Sequence, residues 1–315
     1  MFDAAECMFL YLESSLRVGS GEPGAEIDLP IQREAATGYP LVPGSSLKGV
    51  LRARARSQQA PAELLALLGS EPEPESGEVH PSCVVVSDSL PLLFPARSLT
   101  GLFAWVTSLE TLSRFVRELA VYGVKNPKPP QLPVIDPDAA GVAPEAPLLG
   151  TGKTLVLEEL SFPVKALEEV GALGAWLAEN AFPDDPVYQY WRQRAARGVV
   201  VVPEQAYRYF VLHGTQTLQR IRIDPRTGTA AEGSLWSEEY LPPETLMYAF
   251  AGVNLPDQPP SYITKASNLT DWLRGLVPGH LQVGAGRTLG HGIVRVRWTG
   301  KKAPRTRQSA QPSKK

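Results

Sequence analysis

Two hydrophobic periods alternate irregularly along this chain of 315 residues, and the irregularity narrows its possible architectures more than any single motif does. Stretches of strand character cover residues 7–16, 83–87, 155–160, 207–213, 218–223, 229–236 and 293–298. Between them lie stretches of helical spacing: a helix opening at Ser45 or Ser46, another over 99–120 and a third over 165–179. No regular strand–helix repeat and no self-similar period orders them, which sets aside a solenoid or a barrel. An α+β fold follows. Prolines crowd residues 126–152, so a long irregular insertion is expected there. The turn Asp224-Pro225-Arg226-Thr227-Gly228 separates two strand-like runs, where proline sets φ and glycine supplies a positive φ. A projecting β-hairpin over about 215–242 is predicted.

Composition limits the function classes. Hydrophobic residues make up 43% and charged residues 20%, enough apolar surface for a packed core. No apolar run approaches the roughly 20 residues that span a bilayer, and no basic, apolar and small-residue leader pattern opens the chain. No membrane partner is therefore expected. Cys7 and Cys83 lie far apart without neighbours at ligand spacing, so neither a zinc site nor a disulfide framework is expected, and a cytoplasmic setting fits. The net charge is −2, but the stretch 301–315 holds six of the 31 lysines and arginines and none of the 33 acids. That stretch reads as a solvated, disordered tail. Any contact with nucleic acid must come from local basic patches, since the rest of the chain is acidic.

Two glycine-rich segments imitate nucleotide-binding motifs. Gly150-Thr151-Gly152-Lys153-Thr154 ends like a P-loop, but Pro147 stands where the first glycine belongs, and a strand follows instead of a helix. Gly284-Ala285-Gly286-Arg287-Thr288-Leu289-Gly290 resembles a dinucleotide fingerprint whose third glycine comes one residue late, with too little chain after it for the βαβ unit. What survives is a loop with exposed backbone, suited either to approaching a polyanion or to turning into the last strand. In Pro43-Gly44-Ser45-Ser46-Leu47-Lys48-Gly49-Val50-Leu51-Arg52, a serine caps a helix whose Leu47, Val50 and Leu51 face a core while Lys48, Arg52 and Arg56 line another face.

Together these segments resemble the RAMP superfamily of CRISPR proteins. The glycine–serine turn capping a lysine-bearing helix and the late glycine loop before a terminal strand are similar to that family's signatures. Glu26-Ile27-Asp28-Leu29-Pro30-Ile31-Gln32-Arg33-Glu34 resembles the segment around the catalytic aspartate of the backbone subunit of type III-B (Cmr) complexes. The hairpin, from Arg220-Ile221-Arg222 to Trp236-Ser237-Glu238-Glu239-Tyr240, resembles that subunit's thumb.

The resemblance implies one RAMP domain over 1–300. It would comprise an RRM-like (ferredoxin-like) palm with long insertions and the hairpin as thumb. It further implies a filament of identical subunits along a guide CRISPR RNA, other Cmr subunits as partners, and endonucleolytic cleavage of complementary target RNA at regular intervals. Asp28 would be the catalytic carboxylate and a ligand for Mg2+ or Mn2+, with Glu238 and Tyr240 near the cut. The implied RNA contacts are Arg17, Ser45, Ser46, Lys48, Arg52, Arg220, Arg222, Gly284, Gly286 and Arg287. One departure stands out: Arg17 occupies the position where the family often has a histidine, and arginine cannot serve as a general base. Other readings of the same residues are a non-catalytic scaffold, in which Asp28 only stabilises a turn before Leu-Pro, and the equivalent subunit of a type III-A complex. A small-molecule transferase or hydrolase built on the Gly150–Thr154 loop is the reading from another class.

Overall fold

The structure is a computed structural model that describes all residues except 25, 70–80, 148–153, 257–262, 264, 278 and 301–315. In chain order the elements are β1 (Ala4–Leu12), α1 (Gly44–Ser57), α2 (Ala62–Leu67), β2 (Val84–Val86), β3 (Leu90–Ser98), β4 (Leu102–Thr107) and α3 (Leu109–Tyr122). There follow β5 (Ala140–Val142), β6 (Thr154–Leu157), β7 (Leu160–Ala166), α4 (Glu168–Asn180), α5 (Gln189–Gly198), β8 (Val199–Val201) and α6 (Glu204–His213). The chain closes with β9 (Gln216–Ile223), β10 (Ala230–Tyr240), β11 (Leu246–Val253), α7 (Ala266–Leu276), β12 (His280–Gln282) and β13 (Ile293–Trp298). The fold is mixed α+β, as the interleaved periods require.

β1 explains the layering. It is apolar at every position from Cys7 to Leu12 because both of its faces are covered. Met8, Leu10 and Leu12 point into a core shared with Leu47 and Leu51 of α1 and with Leu269 and Leu273 of α7. Cys7, Phe9 and Tyr11 point the other way, against Phe115 of α3 and Leu173 and Leu177 of α4. Around β1 the sheet runs β13-β1-β11-β3, with β12 outside β13 and every pairing antiparallel. The sheet then continues through β4, β8, β5, β7 and β6. β6 returns to β3 at the Ser98–Leu157 pair, so this second part closes on itself. Closure is the departure from the no-barrel expectation. It arises from twisted, short strands contributed out of sequence, which no repeat in the sequence could announce.

Four local expectations need correcting. Residues 99–120 are not one helix: β4 comes first, and α3 begins where the Ser108 side chain accepts from the Thr111 N–H at 3.2 Å. Residues 207–213 are helical, not a strand. Tyr207, Phe210 and Val211 are buried at helical spacing, and short apolar runs fit both periods. The proline-dense stretch is mostly irregular from 126 to 139, yet it contributes β5, fully buried between β7 and β8. The strand expected over 155–160 is two, β6 and β7, joined by a turn at 158–159, and no expectation covered β3, β8, β11, α5 or α7. The first and last strands, β2, α1, α4 and the hairpin strands stand within a few residues of expectation, and the hairpin is a separate two-stranded sheet of β9 and β10. Of the P-loop imitation, 150–153 lies outside the described residues, as does the basic stretch 301–315. Thr154 opens a strand, as read.

Candidate functional site

Three loops meet at the base of the hairpin. The segment carrying Asp28 has no regular structure of its own, and it lies along the edge of β10 that β9 does not use. Leu29 bridges Glu238 in parallel, with Leu29 N–H to Ser237 O at 3.0 Å and Glu239 N–H to Leu29 O at 3.1 Å. On this edge Asp28 Oδ2 accepts from the Ser237 N–H at 2.7 Å and the Ser237 hydroxyl at 2.8 Å. The Asp28 N–H donates back to Ser237 Oγ at 2.9 Å. Asp28 itself is exposed while Ser237 is buried. Backbone and then side-chain hydrogen bonds from Ser237 hold the Asp28 carboxyl below the usual aspartate range, so it is a carboxylate at neutral pH.

Glu238 and Tyr240 face away from Ser237, as the two-residue period of a strand demands. Glu238 is no solvated strand-end acid. It is buried and accepts from the Trp236 indole N–H at 2.9 Å and the Tyr240 hydroxyl at 2.6 Å. It also pairs with Arg17 at 3.2 Å and Arg220 at 3.3 Å. Burial pushes its carboxyl up, but the hydrogen bonds from Trp236 and Tyr240, with the charge of Arg17, outweigh that and hold it below the ordinary range. The Tyr240 ring packs tilted against His291 with centroids 4.7 Å apart, and His291 Nε2 lies 3.1 Å from Arg220 Nη2. Arg17 thus neutralises Glu238 where the family often has a histidine. A histidine does stand in the cluster, contributed from the far end of the chain. Sequence reasoning passed over His291, although its place between Gly290 and Gly292 was the available signal.

The glycine-rich loop is built into this cluster by close packing. Gly284 has φ +73, and a Cβ there would sit on the carbonyl oxygen of Arg17. The Ala285 N–H donates to that oxygen at 2.9 Å, and the Gly292 N–H donates to Ser15 O at 2.9 Å. Gly286, also in the left-handed region, lies against His291 and opens the short 3-10 turn Arg287–Leu289, whose Arg287 is exposed. On β9, Arg220 and Arg222 alternate with Ile221 and Ile223, so the hairpin has a basic face and an aliphatic face. Ile221, Ile223 and Leu235 are about half exposed or more on the latter.

The start of α1 forms a second group, and no described contact joins it to the hairpin base. The helix begins at Gly44, without a side-chain cap from Ser45 or Ser46. Gly44 packs so tightly against the backbone of Val86 and Ser87 that no Cβ would fit, and its N–H donates to Asp88 Oδ1 at 2.8 Å. A protein carboxylate therefore already takes part of the anion-binding capacity of this helix start. Lys48 is half-buried, and its ammonium is held below the usual lysine range by burial first and by Arg52 second. Arg52 Nη2 donates to the carbonyls of Leu68 at 2.7 Å and Gly69 at 3.0 Å, tying down the end of α2.

Among the described residues no group of three histidine, cysteine, aspartate or glutamate side chains gathers as a metal cage. One oxygen of Asp28 is occupied by Ser237, so Asp28 suits only the kind of Mg2+ or Mn2+ site that substrate phosphates complete.

Comparison with known proteins identifies the family and the fold. The RAMP superfamily model matches residues 9–295, and the chain belongs to that superfamily. Within it, the chain is 31% identical over 290 residues to the CRISPR system Cmr endoribonuclease Cmr4 of Pyrococcus furiosus, covering 91% of this chain and 93% of the relative. It is 24% identical to the CMR subunit Cmr4 of Saccharolobus solfataricus, covering 92% and 95% of the two chains. The structure of oligomeric Cmr4 from Pyrococcus furiosus superposes with a TM-score of 0.68 at 26% identity, covering 93% of this chain and 97% of that one. A subunit of a type III-B Cmr-beta complex bound to cognate target RNA shares the fold, with a TM-score of 0.70 at 21% identity over 95% and 98% of the chains.

Proposed function

We propose that this chain is the backbone, target-RNA-cleaving subunit of a type III-B CRISPR effector complex. Copies of it would bind the guide RNA as a filament beside other Cmr subunits. Each copy would cut complementary target RNA, so that cuts recur at regular intervals. The sheet β13-β1-β11-β3 with α1 and α7 would serve as an RRM-like palm, and β9–β10 as the thumb, within one domain over 1–300 in a cytoplasmic protein. The observation that carries the reading is the placement of Asp28 as an exposed, ionised carboxylate at the hairpin base, in a chain whose relative is named an endoribonuclease.

The chemistry suited to such a site is attack by a ribose 2′-hydroxyl on the adjacent phosphate. The O–P bond to the next nucleotide breaks as the new one forms. Asp28 receives or orients the 2′-hydroxyl proton, and positioning supplies most of the gain. A divalent cation shared between Asp28 and the RNA would stabilise charge on the phosphate. Glu238 and Tyr240 act at one remove. Their hydrogen bonds and ion pairs fix Arg17, Arg220 and His291, whose charge and ring edges border the path of the RNA. Gly284, Gly286 and Arg287 would follow the RNA backbone, as would Arg222. Ser45, Ser46, Lys48 and Arg52 would hold the guide on the palm.

The test is cleavage of complementary RNA by the assembled complex, wild type against Asp28→Ala, with and without Mg2+. Loss of cleavage with unchanged assembly and target binding is expected. Full cleavage by the Asp28→Ala complex would leave the chain a scaffold.

A further inference from the structure

We infer that Ser237 is the positioning residue of the cleavage site, selecting which oxygen of Asp28 faces the RNA; the inference rests on the reading of Asp28 as the catalytic carboxylate. An aspartate in an exposed irregular segment has free χ1 and χ2 rotation, and a carboxylate that swings cannot hold a 2′-hydroxyl in line. Here the rotation is stopped by one buried neighbour. The Ser237 hydroxyl donates to Asp28 Oδ2 at 2.8 Å and accepts from the Asp28 N–H at 2.9 Å. The Ser237 N–H adds a third bond to the same Oδ2 at 2.7 Å. A single hydroxyl acting as both donor and acceptor closes a small ring with Asp28, which only a short hydroxylated side chain can do.

Two consequences follow. Oδ2 is occupied, so Oδ1, which has no side-chain partner among the described residues, is the oxygen presented to substrate. The same residue also locks the segment: Ser237 O accepts from Leu29 N–H at 3.0 Å, so backbone and side chain of Ser237 clamp two successive residues of the loop. Ser237 sits on the hairpin strand that carries Glu238 and Tyr240. Any displacement of the hairpin base is therefore passed directly to Asp28.

The experiment is single-turnover cleavage by the assembled complex carrying Ser237→Ala, Ser237→Thr, Asp28→Ala or Asp28→Ala with Ser237→Ala, with target-RNA affinity measured in parallel. Ser237→Ala is expected to slow the cleavage step by roughly 10- to 100-fold with target affinity unchanged. Ser237→Thr, which keeps the hydroxyl, is expected to restore most of the rate. Adding Ser237→Ala to Asp28→Ala is expected to cost nothing further, since the serine acts only through the aspartate. If Asp28→Ala abolishes cleavage but Ser237→Ala cuts at the wild-type rate, the positioning role is overturned and the catalytic reading stands. A loss of target affinity matching the loss of rate also overturns it, and so does a threonine variant as slow as alanine. If Asp28→Ala cleaves normally, the catalytic reading fails first and takes the inference with it.

Discussion

Glu238 is the residue on which the hairpin base turns. It accepts from an indole and a phenol and pairs with two guanidinium groups while buried. Its removal leaves Arg17 and Arg220 without their carboxylate, a loss on the scale of about 2 kcal/mol for charge-assisted bonds. Glu238→Ala should therefore lower the denaturant midpoint with an unchanged slope. Glu238→Gln, which keeps the shape, should lose less. The carboxyl is held below the ordinary glutamate range. As pH falls, the unfolded chain protonates first, near about 4.3. The stabilisation from Glu238 is thus complete above that value and is lost as pH drops through the lower folded value, so wild type and Glu238→Ala should converge in stability on acidification. Asp28→Asn tests the neighbouring carboxylate. Asn can still accept from Ser237 but cannot take a proton, and cleavage should fall by at least about 100-fold.

At the scale of elements, loop 284–292 and the start of α1 show what motif matching misses. Gly284 and Gly290 look equivalent in the sequence. A Cβ at Gly284 would collide with the Arg17 carbonyl, whereas Gly290 faces open space, though both have positive φ. Gly284→Ala should cost more than the roughly 1 kcal/mol of conformational strain expected for Gly290→Ala, and thermal melts of the two variants should separate them. The lysine-bearing helix is capped by Asp88 rather than by its own serines, and Arg52 is committed to α2. Alanine at both Lys48 and Arg52 should weaken guide retention and flatten its salt dependence by about 0.7 per lost phosphate contact. With Arg52 so engaged, most of that change should already appear in Lys48→Ala alone, and an unchanged salt slope would count against both.

For the whole molecule, the hairpin is distinct from the main sheet. β9 has no buried residue, and β10 is mostly exposed before its base at Ser237–Tyr240, where the Asp28 segment runs along its free edge; the two strands form a sheet of their own. Shortening it between Ile223 and Ala230 should change thermal stability by no more than about 0.5 kcal/mol, since surface segments carry little of the fold's free energy. In the assembled complex the same deletion should disturb target cleavage, read from the lengths of the RNA products. The acidic body predicts that affinity for RNA is local: purified chain or complex should carry RNA, visible in its absorbance ratio at about 260 and 280 nm, and release it as salt rises.

The α+β class, the hairpin, the last strand and the family were legible from the sequence, because period, turn chemistry and short motifs act over a few residues. Residues 99–120 and 207–213 were misread because a short apolar run is compatible with either period until its neighbours choose. Only the tertiary structure joined Arg17, Glu238, Tyr240 and His291, which lie up to 274 positions apart in the chain. It alone showed that Ser237 holds Asp28. Local physics chooses the residue types and turns; the hydrogen bonds that hold the Asp28 carboxylate come from chain segments that meet only once the sheet has formed.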